Sequence, residues 1–166
     1  LAILACINNF LKKGTDMTLL QFIRDGVVRF LNANSRNEAL HQLVETLKEA
    51  DAIQNFEQFY DAVLQREQLV STGIGMGVAI PHAKMENFDH FFLAIGIQKT
   101  REGIEWGALD EVPVRLIFMI GGPANQQTEY LKILSRLTTA IKDEKRRMNL
   151  LATHSKEEII RLFENI

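Results

Sequence analysis

Two apolar runs, Phe91-Phe92-Leu93-Ala94-Ile95-Gly96-Ile97-Gln98 and 114–120, constrain the fold of this chain more than any other feature. A strand with one face in water alternates apolar and polar residues. These runs are instead rich in Ile, Phe and Leu at successive positions, which suits a central sheet covered on both sides. The cover has to come from helices, and helical patterns stand both before and after the two runs. An α/β fold follows, built as a three-layer sandwich with a central sheet flanked by helices.

Ser35 followed by Glu38 forms a capping-box pattern, and Leu40, Leu43, Val44 and Leu47 recur at helical spacing, predicting a helix over 36–49. Asn55 is placed to cap a second helix that aligns Phe56, Phe59, Tyr60, Val63 and Leu64 and ends near Arg66. A third, over 126–142, buries Leu131, Leu134, Leu137 and Ile141; another precedes His154; and Ser155 with Glu158 caps a last helix carrying Ile159, Ile160, Leu162 and Phe163. Between the two long strands, 101–107 reads as an edge hairpin with Trp106 packed, and Gly121-Gly122-Pro123 is expected to end the second strand.

Length and composition suit one domain. The chain has 166 residues, 46% hydrophobic and 24% charged, with no linker, repeat or low-complexity tract. Residues 17–166 are taken as the domain and 1–16 as an N-terminal extension, Met17 being a candidate start. The formal charge of -2 gives no excess of cations for a phosphate backbone, so no nucleic-acid partner is expected, and Lys145-Arg146-Arg147 reads as a solvated helix face. Cys6 stands alone, which excludes an internal disulfide and favours a reducing compartment. The apolar segment 1–11, interrupted by Asn8 and Asn9, is too short to span a bilayer, so no direct membrane insertion is expected.

The chemistry concentrates in 71–82, Ser-Thr-Gly-Ile-Gly-Met-Gly-Val-Ala-Ile-Pro-His. Gly73, Gly75 and Gly77 lack the spacing of a dinucleotide fingerprint, and no Gly-Lys-Ser/Thr follows for a nucleotide loop. Val78-Ala79-Ile80 reads as a short buried strand and Pro81 biases Ile80 towards an extended backbone, so His82 is presented from a fixed position. No metal is expected, because His82 and His90 have no Cys or His at ligand spacing. Ser71 lacks a nucleophile-elbow frame. The company His82 keeps favours phosphate chemistry, with a neutral imidazole as nucleophile and the amides about Gly73 to Gly77, the hydroxyls of Ser71 and Thr72 and the Arg66 guanidinium as oxygen ligands; a structural or surface histidine, and a solvated or dipole-pairing Arg66, are the other readings of these residues. No cofactor is needed for that chemistry.

These residues resemble a known family, the type-2 (fructose/mannitol-like) enzyme IIA domains of the bacterial phosphoenolpyruvate-dependent phosphotransferase system. Glu67, Ile74-Gly75 and Val78-Ala79-Ile80-Pro81-His82-Ala83 fit its active-site signature at every spaced position, Arg66-Glu67 and Ser71-Thr72-Gly73 extend it, and the similarity runs over about 18–163. The resemblance implies a mixed central sheet and a phosphohistidine at His82, formed from a phosphorylated HPr-like carrier in the cytoplasm. The family commonly has a second active-site histidine where Tyr130 stands, before Leu131-Lys132-Ile133-Leu134; tyrosine offers a hydrogen bond but no imidazole. It also often has a polar residue at the place of Met76 and a glycine at that of Ala83. Ser-Thr-Gly-Ile-Gly with Pro-His-Ala-Lys is more similar to the nitrogen-related branch than to the mannitol branch. A regulatory carrier acting on target proteins is therefore expected, with a sugar-specific IIA that serves a IIB component, or an unphosphorylated binding module, as alternatives.

Overall fold

A computed structural model describes residues 18–24, 26–164 and 166. The expected extension 1–16, with Cys6 and the 1–11 segment, and the candidate start at Met17 lie outside the described residues. The elements run α1 (Leu19–Arg24), β1 (Val28–Leu31), α2 (Arg36–Glu49), α3 (Phe56–Leu69), β2 (Gly73–Gly75), β3 (Val78–Ala79), β4 (His82–Met85), β5 (Phe92–Gln98), β6 (Leu116–Pro123), α4 (Gln127–Lys142), α5 (Glu144–Ala152) and α6 (Lys156–Arg161). Among the described residues no helix is long and apolar enough to cross a membrane.

The two apolar runs form the middle of a six-stranded mixed sheet of order β1-β5-β6-β3-β2, with β4 also on β6. β5 and β6 are antiparallel, whereas β1 lies parallel to β5, and β3 and β4 lie parallel to β6. Every residue of 92–98 and 116–120 is buried because alternate side chains enter two separate cores. Leu93, Ile95 and Ile97 join Leu116, Phe118 and Ile120 beneath α1, α4, α5 and α6. Phe92 and Ala94 join Ile117 and Met119 beneath α2 and α3. The three-layer sandwich is therefore as expected.

The boundaries differ where local chemistry has another use. Ser35 Oγ accepts the Glu38 N–H at 3.2 Å, but the Glu38 carboxylate takes the N–H of Asn34 at 2.8 Å, one residue before the cap. Asn55 precedes α3 without a side-chain capping bond. Leu131 is 51% exposed, since the inward stripe of α4 passes through Tyr130, Ile133, Leu137 and Ile141 and leaves its neighbour on the outer side. Lys145-Arg146-Arg147 is more than a solvated face: Arg146 donates to the carbonyl of Ala140 and Arg147 to those of Ile141 and Lys142, satisfying open C-terminal carbonyls of α4, and Arg146 also donates to the Leu162 carbonyl at the end of α6.

Residues 101–107 form no hairpin strand. Ile104 makes a single antiparallel bridge to Val114, and Gly103 and Gly107, at φ 70° and 77°, turn the chain on either side. Trp106 is packed, at 2% exposure. Gly121, Gly122 and Pro123 belong to β6 rather than ending it. A Cβ on Gly121 or Gly122 would collide with the ring of Phe92 or Phe91, so these glycines make room for aromatics while the strand continues. That continuation gives β4 its partner, with His82 opposite Ile120, Ala83 opposite Gly121 and Lys84 opposite Gly122.

Candidate active site

β3 and β4 lie on the same edge of β6, broken only at Ile80-Pro81. Pro81 has no N–H to add to the ladder, but its carbonyl accepts from Ile120 at 3.0 Å, so His82 leaves the break from an anchored backbone. Its Nδ1 lies 2.9 Å from the Ile80 carbonyl. A carbonyl only accepts, so in the neutral ring Nδ1 carries the proton and the lone pair sits on Nε2. The Arg66 Nε–H donates to that Nε2 at 3.1 Å. Burial holds the His82 pKa below its ordinary value, with the Arg66 and Lys84 charges acting in the same sense against the Ile80 hydrogen bond and Glu67. The surroundings of the ring thus favour its neutral form, with the lone pair on Nε2.

Arg66 reaches this point because α3 runs three residues further than its apolar pattern suggests. One of its terminal nitrogens caps the helix on the Val70 carbonyl at 2.9 Å, which steadies the guanidinium beside the imidazole. His82 and Arg66 open into a cavity of about 620 Å³ lined also by Ala62, Gln65, Leu69, Ala83, Lys84, Gln127 and Tyr130. Its charged lining groups are both cationic. Tyr130, 6% exposed on the inward stripe of α4, stands with its ring centroid 5.5 Å from that of His82 at 41°. Burial raises the pKa of its phenol, which stays an O–H donor.

The structure therefore brings His82, Arg66 and Tyr130 together. The glycine-rich segment is arranged differently, with its polar groups turned to other partners. The N–H and hydroxyl of Thr72 both donate to the Glu67 carboxylate, which is 3% exposed and faces Arg36 at 3.7 Å. Thr72 also accepts from the Trp106 indole. Ser71 donates to the Trp106 carbonyl at 2.9 Å and accepts from the Gly73 N–H at 3.1 Å. Gly75, at φ 90°, packs on Asp110, whose carboxylate takes the Met76 N–H at 2.7 Å, and the Gly77 carbonyl accepts from Arg115 and Leu116. None of residues 71–77 lines the cavity at His82.

Sequence reasoning passed over Lys84 and Gln127, which line the same cavity. The signal for Lys84 was available, because a residue two places after His82 on one strand shares its face. Gln127 carried none, since its place depends on how α4 meets β4.

Comparison with known proteins agrees with this architecture. The profile of the family described as "Phosphoenolpyruvate-dependent sugar phosphotransferase system, EIIA 2" matches residues 21–166. The fructose-specific EIIABC component of Bacillus subtilis is 32% identical over 130 residues, 78% of this chain, and the chain spans only 20% of that protein's length. Among solved structures, the nitrogen regulatory protein IIA-Ntr of Neisseria meningitidis superposes with a TM-score of 0.78 at 26% identity, covering 87% of this chain and 98% of that one. Enzyme IIA of the mannitol system, solved in complex with phosphorylated enzyme IIB from Escherichia coli, shares the fold at a TM-score of 0.69 and 22% identity, over 84% of this chain and 94% of that one. The match over nearly all the described residues makes this chain a member of the EIIA type-2 family of the phosphoenolpyruvate-dependent sugar phosphotransferase system, whose components are phosphotransferases that pass a phosphoryl group through a histidine.

Proposed function

We propose that the chain is a phosphohistidine carrier that accepts its phosphoryl group on Nε2 of His82 from the phosphohistidine of an HPr-like protein. One observation carries this: an imidazole whose Nδ1–H donates to the Ile80 carbonyl has its unprotonated Nε2, which accepts from Arg66, at a cavity whose charged lining groups are Arg66 and Lys84. The Nε2 lone pair attacks phosphorus as the donor's N–P bond breaks, the electron pair of that bond returning to the donor imidazole. The proton stays on Nδ1 throughout, donated to the Ile80 carbonyl. Arg66 gives up Nε2 during the attack and turns its N–H groups onto the phosphoryl oxygens, and the Tyr130 hydroxyl donates to one of them. Ser71, Thr72, Gly73, Gly75 and Gly77, expected to bind those oxygens, act here as the frame that holds the Arg66 end of α3.

The phosphorylated state is itself the output in this account. Close to two added negative charges offset the two cations of the cavity mouth and alter which regulatory target docks there. Support comes from Ser71-Thr72-Gly73-Ile74-Gly75, from Pro81-His82-Ala83-Lys84, and from a tyrosine at position 130 that offers no second imidazole. A second role, sugar-specific delivery to a cysteine or histidine of a IIB component, is favoured by the identity to a fructose-specific protein. Either role belongs in the cytoplasm with its phosphoryl donor.

Incubation with phosphoenolpyruvate, enzyme I and HPr should add one phosphoryl group by intact mass, absent from His82→Ala. An unmodified wild-type chain would leave only a binding module. Adding IIB components then separates the roles, since rapid loss of label to IIB favours delivery and persistence favours regulation.

A further inference from the structure

We infer that Lys84 is a second phosphoryl-binding cation of this site, seated on the face of the Tyr130 ring; the inference rests on the carrier function proposed above. Lys84 follows His82 by two residues on β4 and lines the same cavity. Its Nζ stands 5.2 Å from the Tyr130 ring centroid and donates to Gln127 Oε1. These two contacts steady a long side chain that would otherwise sweep through solvent.

Charge balance supplies the rest of the argument. Among the described residues neither Lys84 nor Arg66 has a carboxylate partner, and Glu67, the acid next to Arg66 in the chain, is committed to Arg36 and Thr72. Two uncompensated cations converge on one cavity and both disfavour protonation of the imidazole between them. Such an arrangement is unfavourable until an anion arrives, and a phosphoryl group on Nε2 puts its oxygens within a cavity that both cations line. In this arrangement the tyrosine ring contributes a π face for the ammonium in addition to its hydroxyl, so the ring and the O–H are separable.

The test uses the full chain with phosphorylated HPr as donor. Lys84→Met should slow acceptance on the order of tenfold, with the deficit shrinking at high salt, while Lys84→Arg keeps near wild-type rates. Tyr130→Phe should preserve the lysine contribution, and Tyr130→Leu should remove most of it, so that adding Lys84→Met to Tyr130→Leu costs little more. Phosphorus NMR of the isolated phosphoprotein separates a phosphoryl contact from a contact with the docked donor. Lys84→Met should shift the phosphohistidine signal and change its hydrolysis rate with no partner present. Unchanged rate, signal and hydrolysis in Lys84→Met would overturn the inference while leaving the carrier function intact. A rate deficit with unchanged signal and hydrolysis would also overturn it, assigning the lysine to partner docking. A wild-type chain that takes no label overturns the carrier function and this inference together.

Discussion

The His82 cavity and the glycine-rich hairpin at 71–77 are adjacent in sequence and opposite in character. At the cavity, Arg66, Lys84 and Tyr130 present polar groups to open space and find no carboxylate among its lining residues. In the hairpin, Glu67 absorbs Thr72, Trp106 absorbs Ser71, and Asp110 absorbs the Met76 amide. The difference teaches that two segments adjacent in sequence can divide their polar groups in opposite ways. The hairpin turns its side chains and the Met76 amide to partners within the protein, whereas side chains on α3, β4 and α4 line the open cavity.

The comparison breaks most visibly in stability. Glu67→Ala strands Arg36 and removes both Thr72 bonds, and should cost about 3 kcal/mol in chemical denaturation, the low end for a broken buried pair because the Arg36 side chain is 33% exposed. Acceptance per folded molecule should fall far less than for any loss at the cavity. Arg66→Ala should invert that pattern, slowing phosphoryl acceptance about 100-fold while unfolding shifts by no more than about 1 kcal/mol from the lost Val70 capping bond. Were the two variants to behave alike, the division between frame and site would be wrong.

Gly75→Ala sharpens the frame side further. A side chain at φ 90° with its Cβ 2.8 Å from Asp110 should destabilise by about 1–2 kcal/mol, read as a lowered Tm, with little effect on transfer rate. A large loss of rate at unchanged stability would instead return the hairpin amides to the phosphate. The smallest effect is one of pH. Because burial and two cations lower the His82 pKa, the acceptance rate should stay flat as pH falls past the ordinary histidine value of about 6.5 and decline only below it. Lys84→Met removes one of the lowering charges, so its decline should begin at higher pH than in the wild type; Asp110→Asn, on the frame side, should leave the profile in place.

The layered fold was legible because burial on both faces writes itself into Phe91 to Gln98 and 116–120 without regard to partners. His82 and Arg66 were legible as a pair for a related reason: a proline break and a helix end are local events. What escaped was decided by contacts distant in sequence. Thr72 could equally have served a ligand or a buried acid, and only the meeting of α3 with Trp106 sends it to Glu67. Gly121 and Gly122 look like a turn until the rings of Phe91 and Phe92 occupy the space their missing side chains leave. Arg146 and Arg147 look solvated until α5 folds back under the carbonyls of α4.

Nitrogen-resolved NMR of the chain after phosphorylation by HPr reaches the central claim most directly. A phosphoryl group on Nε2 of His82, with Nδ1 still protonated and hydrogen-bonded to Ile80, is the expected outcome. Phosphorus on Nδ1, on another residue, or nowhere in the chain would contradict it.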